Sequence, residues 1–510
     1  SELHDLHPTW NFEPVLVTQM KPQYTWDYVI SKEIEDPENN LIYYSYSAND
    51  YAVDSNLVES GLWYKCSRDT LEFFMDPRNN LTERNIFQFE TLEFSDKYDV
   101  NDVQSCLEGT FMANGVLENG KTYAQHIYDV GKSVGISPLH LASRLKQEQG
   151  LYGTSPLISG SCGDKLAQIY AAKTDGAPSS GYDGYNFSQY NGLYNYFNMG
   201  ASGTGYFEIW LNGMKEAQSE GWTTRYKAIE GGAQKVYNKY ISVYQYTLYF
   251  QKFNVHPSSN KNFWGQYMQN VSAPWSEGRM IQETYAKNGL LDLPFTFSIP
   301  VYDGMEDEYP NPGSSFKDNI SYSNCIDIPE GSRVNNKPLK KVLSCSKDTQ
   351  SIVSIAGWSV HSSKAKAFEI SIDGGKWTEI GSSFRQDVYN ATTNISQSAV
   401  NNSFSTNVSI TSLPVGERHV AIRGKTENNM YYLIYCLKLT VTSLYEGVIP
   451  DHFNTVFAAF DGGQGSYEKG FAYDFGLHAA NENLVVNGNY FRNRFTPRVG
   501  SSESGITVTD

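Results

Sequence analysis

The 510-residue sequence predicts an α+β chain: a mixed N-terminal region, a mostly helical core and a C-terminal all-β sandwich. Three observations carry this. Apolar residues recur at three- and four-residue intervals through much of residues 101–250. Beyond residue 335 the period becomes two, and "AFEISIDGGKWTEIG" reads as strand, Gly-Gly turn and strand. Between these regions, "SIPVYDGMEDEYPNPGSS" (298–315) is acidic and Pro-rich, and reads as a domain-ending linker.

The elements follow in order. Residues 1–95 alternate short apolar runs such as "YTWDYVIS" and "GLWYKCS" with turns, an α+β region expected to pack on the core. The core spans 96–315. Within it, 101–134 hold two helical patterns, and Ser137-Pro138 then opens another helix, serine as cap and proline in the first turn. Gly150 stops it. Residues 164–186, rich in Gly, Asp and Ser, read as a loop beside the binding site. Helical pattern returns at 205–220 and 224–250. Residues 316–445 form the expected immunoglobulin-like sandwich, with "LPVGERHVAIRGKT" and "MYYLIYCLKLTVTS" as further strands. The Gly- and Asn-rich stretch 446–510 carries no assignment.

Composition bounds the function. A net charge of −16 argues against nucleic acid, whose phosphates would be repelled. Charged residues are only 19% and aromatics 14%, with 37 Tyr, a surface chemistry suited to sugars. There is no apolar run of membrane-spanning length. The chain begins at Ser1, which fits a processed secreted protein and equally a trimmed one. Six widely spaced cysteines permit three disulfides or free buried thiols. Neither C-x-x-C nor H-E-x-x-H occurs, so no metal or other cofactor is expected.

The helix that starts at Ser137 has one notable acid. Leu141, Ala142 and Leu145 form a stripe, and Glu148 continues it at i+7 from Leu141, while Arg144, Lys146 and Gln147 fall on more solvated positions. Partial burial and the negative end of the helix dipole both favour a protonated acid, the form a glycosidase needs to protonate a leaving oxygen. The stripe alone equally accommodates a glutamate that simply reaches solvent from the helix end.

Longer blocks decide more. "ISPLHLASRLKQEQGLYGTSPLISG", "GLYNYFNMGASG", "GWTTRYKAIEGGAQKVYNKYI", "YTLYFQKFNV", "QYMQNVSAP" and "FSIPVYDGM" occur in an order that resembles family 73 glycoside hydrolases, the endo-β-N-acetylglucosaminidases of Firmicutes autolysins. Upstream, "HPTWNFEP", "MDPRNNL" and "IFQFETLEF" resemble the segment preceding that core. The resemblance covers roughly residues 7–305. It departs at Tyr244-Gln-Tyr, at Gly265, and at 162–180, which looks like an insertion.

The resemblance implies a lysozyme-like fold with a groove between two lobes, and Glu148 as general acid. It implies a substrate-binding wall from Tyr194, Asn195, Phe197 and Asn198, with Tyr226 and Tyr240 as further groove candidates. Peptidoglycan glycan strands become the expected substrate, and a secreted or wall-associated location follows. An inverting reaction needs a second carboxylate about 6.5–9.5 Å away, for which Asp164, Asp175 and Asp183 are candidates. The other route uses the substrate's own N-acetyl oxygen. A muramidase, a lytic transglycosylase or an inactive wall-binding protein are the competing readings. Trp358 and Trp377 read as core or hairpin residues rather than a sugar platform.

Overall fold

A computed structural model describes residues 2–443, except 36, 47, 59–60, 308–315, 317–319, 330, 332 and 397–399, together with the backbone of 483–486 and 489–492. The chain divides into two compact units, Thr9–Asp318 and a second made of Ser1–Pro8 with Asn319–Asp510.

Thr9–Asp318 is predominantly helical. Its longest helices are Tyr123–Val134, Pro138–Gln149, Cys162–Ala172, Tyr206–Ser219, Arg225–Lys239 and Ala273–Lys287. The expected 1–95 region, beyond its first eight residues, is part of this unit. It supplies helices at Trp26–Glu35 and Arg68–Met75 and a small antiparallel sheet of Leu41–Tyr43, Trp63–Cys66 and Ala52–Val58. Strand Asn11–Leu16 pairs in parallel with Thr296–Val301, far along the sequence. That pairing corrects the linker expectation at its start. Phe297 and Ser298 are buried in a strand, and Phe297 joins Trp10, Phe87, Phe295 and Tyr285 in one aromatic cluster. Edge-on and tilted ring pairs of this kind add stability beyond area burial alone. Most of the linker from 308 onward lies outside the described residues.

A second correction falls in 164–186. Its first half is the helix Cys162–Ala172, because Leu166, Ile169 and Tyr170 form a buried stripe that outweighs the polar residues between them. Lys173 then takes a left-handed conformation, φ +52°, and ends the helix.

The second unit contains two five-stranded sheets. One runs Thr378–Glu379, Ala365–Ile372, Gly416–Thr426, Tyr431–Thr442, Leu339–Ser346, and the other runs Gly381–Ser383, Ser403–Ser409, Ile352–His361, Tyr322–Ile328, Arg333–Asn335. Ile326, Ile355, Phe368, Phe404, Ile422 and Leu437, drawn from both sheets, share one apolar cluster. The Gly-Gly turn is in place, with Asp373 and Gly374 at φ +51° and +69°. Strand pairing begins at Tyr322, earlier than residue 335.

Ser1–Pro8 belongs here rather than with residues 9–95. Leu6 and His7 are buried, His7 stands edge-on to Tyr431 at 5.7 Å, and the Leu6 carbonyl accepts from Arg423 at 3.3 Å. Arg423 itself is buried, pairs with Glu369 at 2.8 Å and lies over the rings of Trp377 and Tyr431. Trp377 is thus engaged by a cation, and Trp358 is buried. Of the 446–510 stretch, only the antiparallel pair Asn483–Val486 with Asn489–Arg492 is among the described residues. All six cysteines are free thiols.

Candidate active site

The Glu148 helix, Pro138–Gln149, is closed at both ends as its sequence predicts. The Ser137 hydroxyl accepts from the His140 N–H at 3.4 Å, and Gly150 leaves the helix at φ +65°, where a side chain would be strained. Leu141, Ala142 and Leu145 are buried, and this anchors the last turn. Glu148 stands at the edge of that stripe, its side chain 24% exposed, facing a cavity of about 640 Å³.

Asn198, from another segment of the cavity lining, contacts Glu148 directly. Its Nδ2 donates to Glu148 Oε2 at 2.8 Å and to the Glu148 carbonyl at 3.3 Å. Asn198 has φ +51°, a left-handed conformation that Asn tolerates better than most residues. Its segment is locked by close packing: a Cβ at Gly232 would lie 2.1 Å from the Phe197 ring. Phe197, Asn198 and Tyr240 line the Glu148 cavity, with Arg144, Glu216, Lys235 and Tyr267.

The remaining candidates sit elsewhere. Asn195 is fully buried and spent on backbone, donating to the Met199 and Gly213 carbonyls at 2.8 and 2.9 Å and accepting from the Met199 N–H. Tyr194 does not line the cavity, since its ring packs over Gly160, whose Cβ would meet the hydroxyl at 2.7 Å. Tyr226 is turned towards His126, 6.0 Å between rings.

Asp164, on the helix Cys162–Ala172, does not line this cavity, and neither do Asp175 and Asp183. Asp164 accepts from Asn191 at 2.7 Å, Asp175 from the Thr174 hydroxyl at 3.1 Å, and Asp183 from the Tyr170 hydroxyl at 3.1 Å. Two charged neighbours of Glu148 escaped sequence reasoning. Arg144, expected on a solvated position, is 13% exposed with Nη2 3.9 Å from Glu148 Oε1. Its i,i+4 spacing from the glutamate was the available signal. Glu277, on the helix Ala273–Lys287, shares a second cavity of about 350 Å³ with Glu148, Arg144, Tyr267 and His140. Burial pushes its carboxyl up to about 7, with the Glu148 charge adding to the rise and Arg144 opposing it.

Among the described residues no group of three His, Cys, Asp or Glu side chains converges to hold a metal ion, and no helix is long and apolar enough to cross a membrane. What the arrangement offers is a carboxyl about a quarter exposed, held by an amide and flanked by a guanidinium, in a cavity with apolar, aromatic and polar walls.

No family model matches the chain. Among curated proteins it is similar to the bifunctional autolysin of Staphylococcus epidermidis, 26% identical over 243 residues, which is 47% of this chain and 16% of that protein. The bifunctional autolysin of Staphylococcus aureus matches at 26% over 245 residues, 48% of this chain and 17% of that one. The chain thus spans about a sixth of the length of these relatives. Among solved structures, S. aureus glucosaminidase B aligns at 20% identity and TM-score 0.37, over 57% of this chain and 93% of its own. The major bifunctional autolysin aligns at 19% and 0.36, over 57% and 98%. Over about half its length, then, this chain resembles the bifunctional autolysins, as its ordered motif blocks indicated.

Proposed function

We propose that the Thr9–Asp318 unit is a peptidoglycan hydrolase with a lysozyme-like groove, cleaving β-1,4 bonds after N-acetylglucosamine, with Glu148 as general acid. The observation that carries this reading is the place of Glu148 on a cavity of about 640 Å³, with its carboxyl held at the cavity edge by the Asn198 amide at 2.8 Å. The relatives' name, bifunctional autolysin, supports a wall substrate, and with it a secreted or wall-associated location. A glycan strand would lie in the groove, its leaving oxygen protonated by Glu148. Asn198 would hold the carboxyl in one rotamer, which is the positioning that such catalysis depends on. Tyr267, part-exposed, would offer its ring and hydroxyl to the sugar, while Phe197 and Tyr240, both buried, would shape the cavity wall. Asp164, Asp175 and Asp183 are engaged elsewhere, and Glu216, the other carboxylate on this cavity, is paired with Lys235 at 2.7 Å, so attack by the substrate's own N-acetyl oxygen is the favoured second half of the reaction. The two-sheet unit would be an immunoglobulin-like sandwich serving as spacer or binding module.

Turnover of purified cell walls by wild type and Glu148→Gln tests the reading. General acid–base catalysis contributes about 10²–10⁴-fold, so Gln, which keeps the shape and lacks the transferable proton, should lose nearly all activity. A variant retaining more than about a tenth would overturn the assignment. Mass spectrometry of the fragments separates the bond types: N-acetylglucosamine at the new reducing end is expected. N-acetylmuramic acid would mean a muramidase and an anhydro sugar a lytic transglycosylase, while no turnover at all would leave a wall-binding protein.

A further inference from the structure

We propose that Glu277 is a positioning residue for the general acid: it shares the Arg144 guanidinium with Glu148 and so sets how strongly that positive charge bears on the acid. The inference rests on the reading of Glu148 given above. Its basis is geometric. Arg144 and Glu148 line both cavities, the first with Asn198 and Tyr240, the second with Glu277 and His140. The guanidinium therefore stands where the two cavities meet. Its approach to Glu148 is loose, 3.9 Å, and its buried Nε has no hydrogen-bond partner. A guanidinium bound tightly to one carboxylate would show neither feature.

The other groups facing Glu277 leave Arg144 and Glu148 as its main electrical neighbours. His140, on the Arg144 helix, is buried, and burial with the Arg144 charge holds it down to about 3, so it is neutral. Both its ring nitrogens lack partners. The Tyr267 phenol, from the segment before the Glu277 helix, is pushed up to about 12 by burial and is neutral too. Lys146 is turned to the Cys106 carbonyl at 3.5 Å. Glu283 and Lys287, on the Glu277 helix itself, also line the cavity, and Glu283 is paired with Arg84 at 3.0 Å.

The consequence has a definite sign. A lone guanidinium beside an acid favours loss of its proton, and a general acid must keep its proton until the bond breaks. When Glu277 ionises, it offsets that charge and repels a second negative charge nearby. Above about 7, where Glu277 ionises, its charge disfavours an anion beside it. Removing Glu277 must therefore cost activity selectively at the alkaline side.

The experiment is the pH profile of kcat/KM on soluble glycan fragments for the full chain, wild type against Glu277→Gln and Glu277→Asp. The quantity read is the ratio of rates at about pH 7.5 and about pH 5, which cancels a uniform loss. A limb displaced by half a unit changes this ratio about threefold, so Gln should lower it at least that much while Asp, retaining the charge, stays close to wild type. An unchanged ratio for Gln overturns the proposal however far the absolute rate falls. Should Gln not fold, Ala is read in the same way, and failure of both to fold makes Glu277 structural and ends the proposal. Glu148→Gln, run alongside, separates the two readings. If it stays active, the general-acid assignment fails, and if it is dead while the Glu277→Gln ratio is unchanged, only this inference fails.

Discussion

Asn198 offers the sharpest test of how the acid is held, because two substitutions separate its side chain from its backbone. Asn198→Ala removes the amide that donates at 2.8 Å to Glu148 Oε2, and forces a side chain to stay at φ +51°. Asn198→Gly removes the same amide and frees the backbone. A hydrogen bond to a charged acceptor contributes about 1.5–3 kcal/mol, and both variants forfeit it. A non-glycine residue in the left-handed region adds about 1–2 kcal/mol, partly offset by the ~0.5–1 kcal/mol of chain entropy that glycine loses on folding. Ala should therefore be the less stable of the two by about 1 kcal/mol, or roughly 2 °C in melting temperature for a unit of this size. Activity should not follow stability. An acid free to swing by an ångström loses about 10²-fold, so both variants should lose at least tenfold in the clearing of purified cell walls at a temperature where both are folded. If Gly clears walls within about twofold of wild type, the amide does not orient the acid and the reasoning fails.

Three further outcomes follow from the same coordinates. Glu90 is fully buried, with Tyr285 donating to Oε1 at 3.3 Å, and burial pushes its carboxyl up to about 8. Its raised value makes its contribution to stability complete below the ordinary glutamate range and lost as pH rises through about 8. Glu90→Gln should therefore gain on wild type between pH 5 and pH 9, by at most a few kcal/mol at about 1.4 per unit; denaturant melts at the two pH values check it, and a pH-independent difference refutes it. Tyr194→Phe should keep full activity with little change in melting, since the ring lies over Gly160 rather than in the cavity; loss of turnover with unchanged melting would return Tyr194 to the groove. Arg423→Met should lower the melting of the two-sheet unit, because it leaves the part-buried Glu369 carboxylate without its partner at 2.8 Å, a loss of at most about 3 kcal/mol; an unchanged melting temperature would show the pair to be worth nothing.

What could be read in the sequence was local. The Glu148 helix was legible because its cap, its stripe and its stop all lie within fourteen residues, and the two-sheet unit because a period of two with a Gly-Gly turn is a local signal too. What escaped depends on distance along the chain. Glu277 reaches the site from 129 positions beyond Glu148, and no pattern around "WSEGR" announces it. The first eight residues join strands more than four hundred positions later through Leu6 and His7. In the Tyr-Asn segment the block was recognisable while its roles were not: Asn195 and Asn198 are the same residue type three apart, yet one bonds only backbone and the other holds the acid.

The side chains around Asn198 also determine which way its amide faces, and the order of that wiring starts from a group with no choice. The Tyr196 carbonyl can only accept, so the Gln149 side chain must present its Nε2 there, at 2.7 Å. That same Nε2 lies 3.2 Å from Asn198, which must answer with its oxygen. With Oδ1 committed, Nδ2 is the end left for Glu148, and it is the donor that a carboxylate requires. Gln149 bears a cost for this orientation: its own Oε1 is buried without a partner, a penalty of about 1–3 kcal/mol. Replacing Gln149 by an apolar residue would remove that penalty and one of two constraints on the Asn198 amide, leaving the Glu148 carbonyl, an obligate acceptor at 3.3 Å, as the other. The unsatisfied Oε1 is the counterpart of a chain of donors that runs from Gln149 through Asn198 to Glu148.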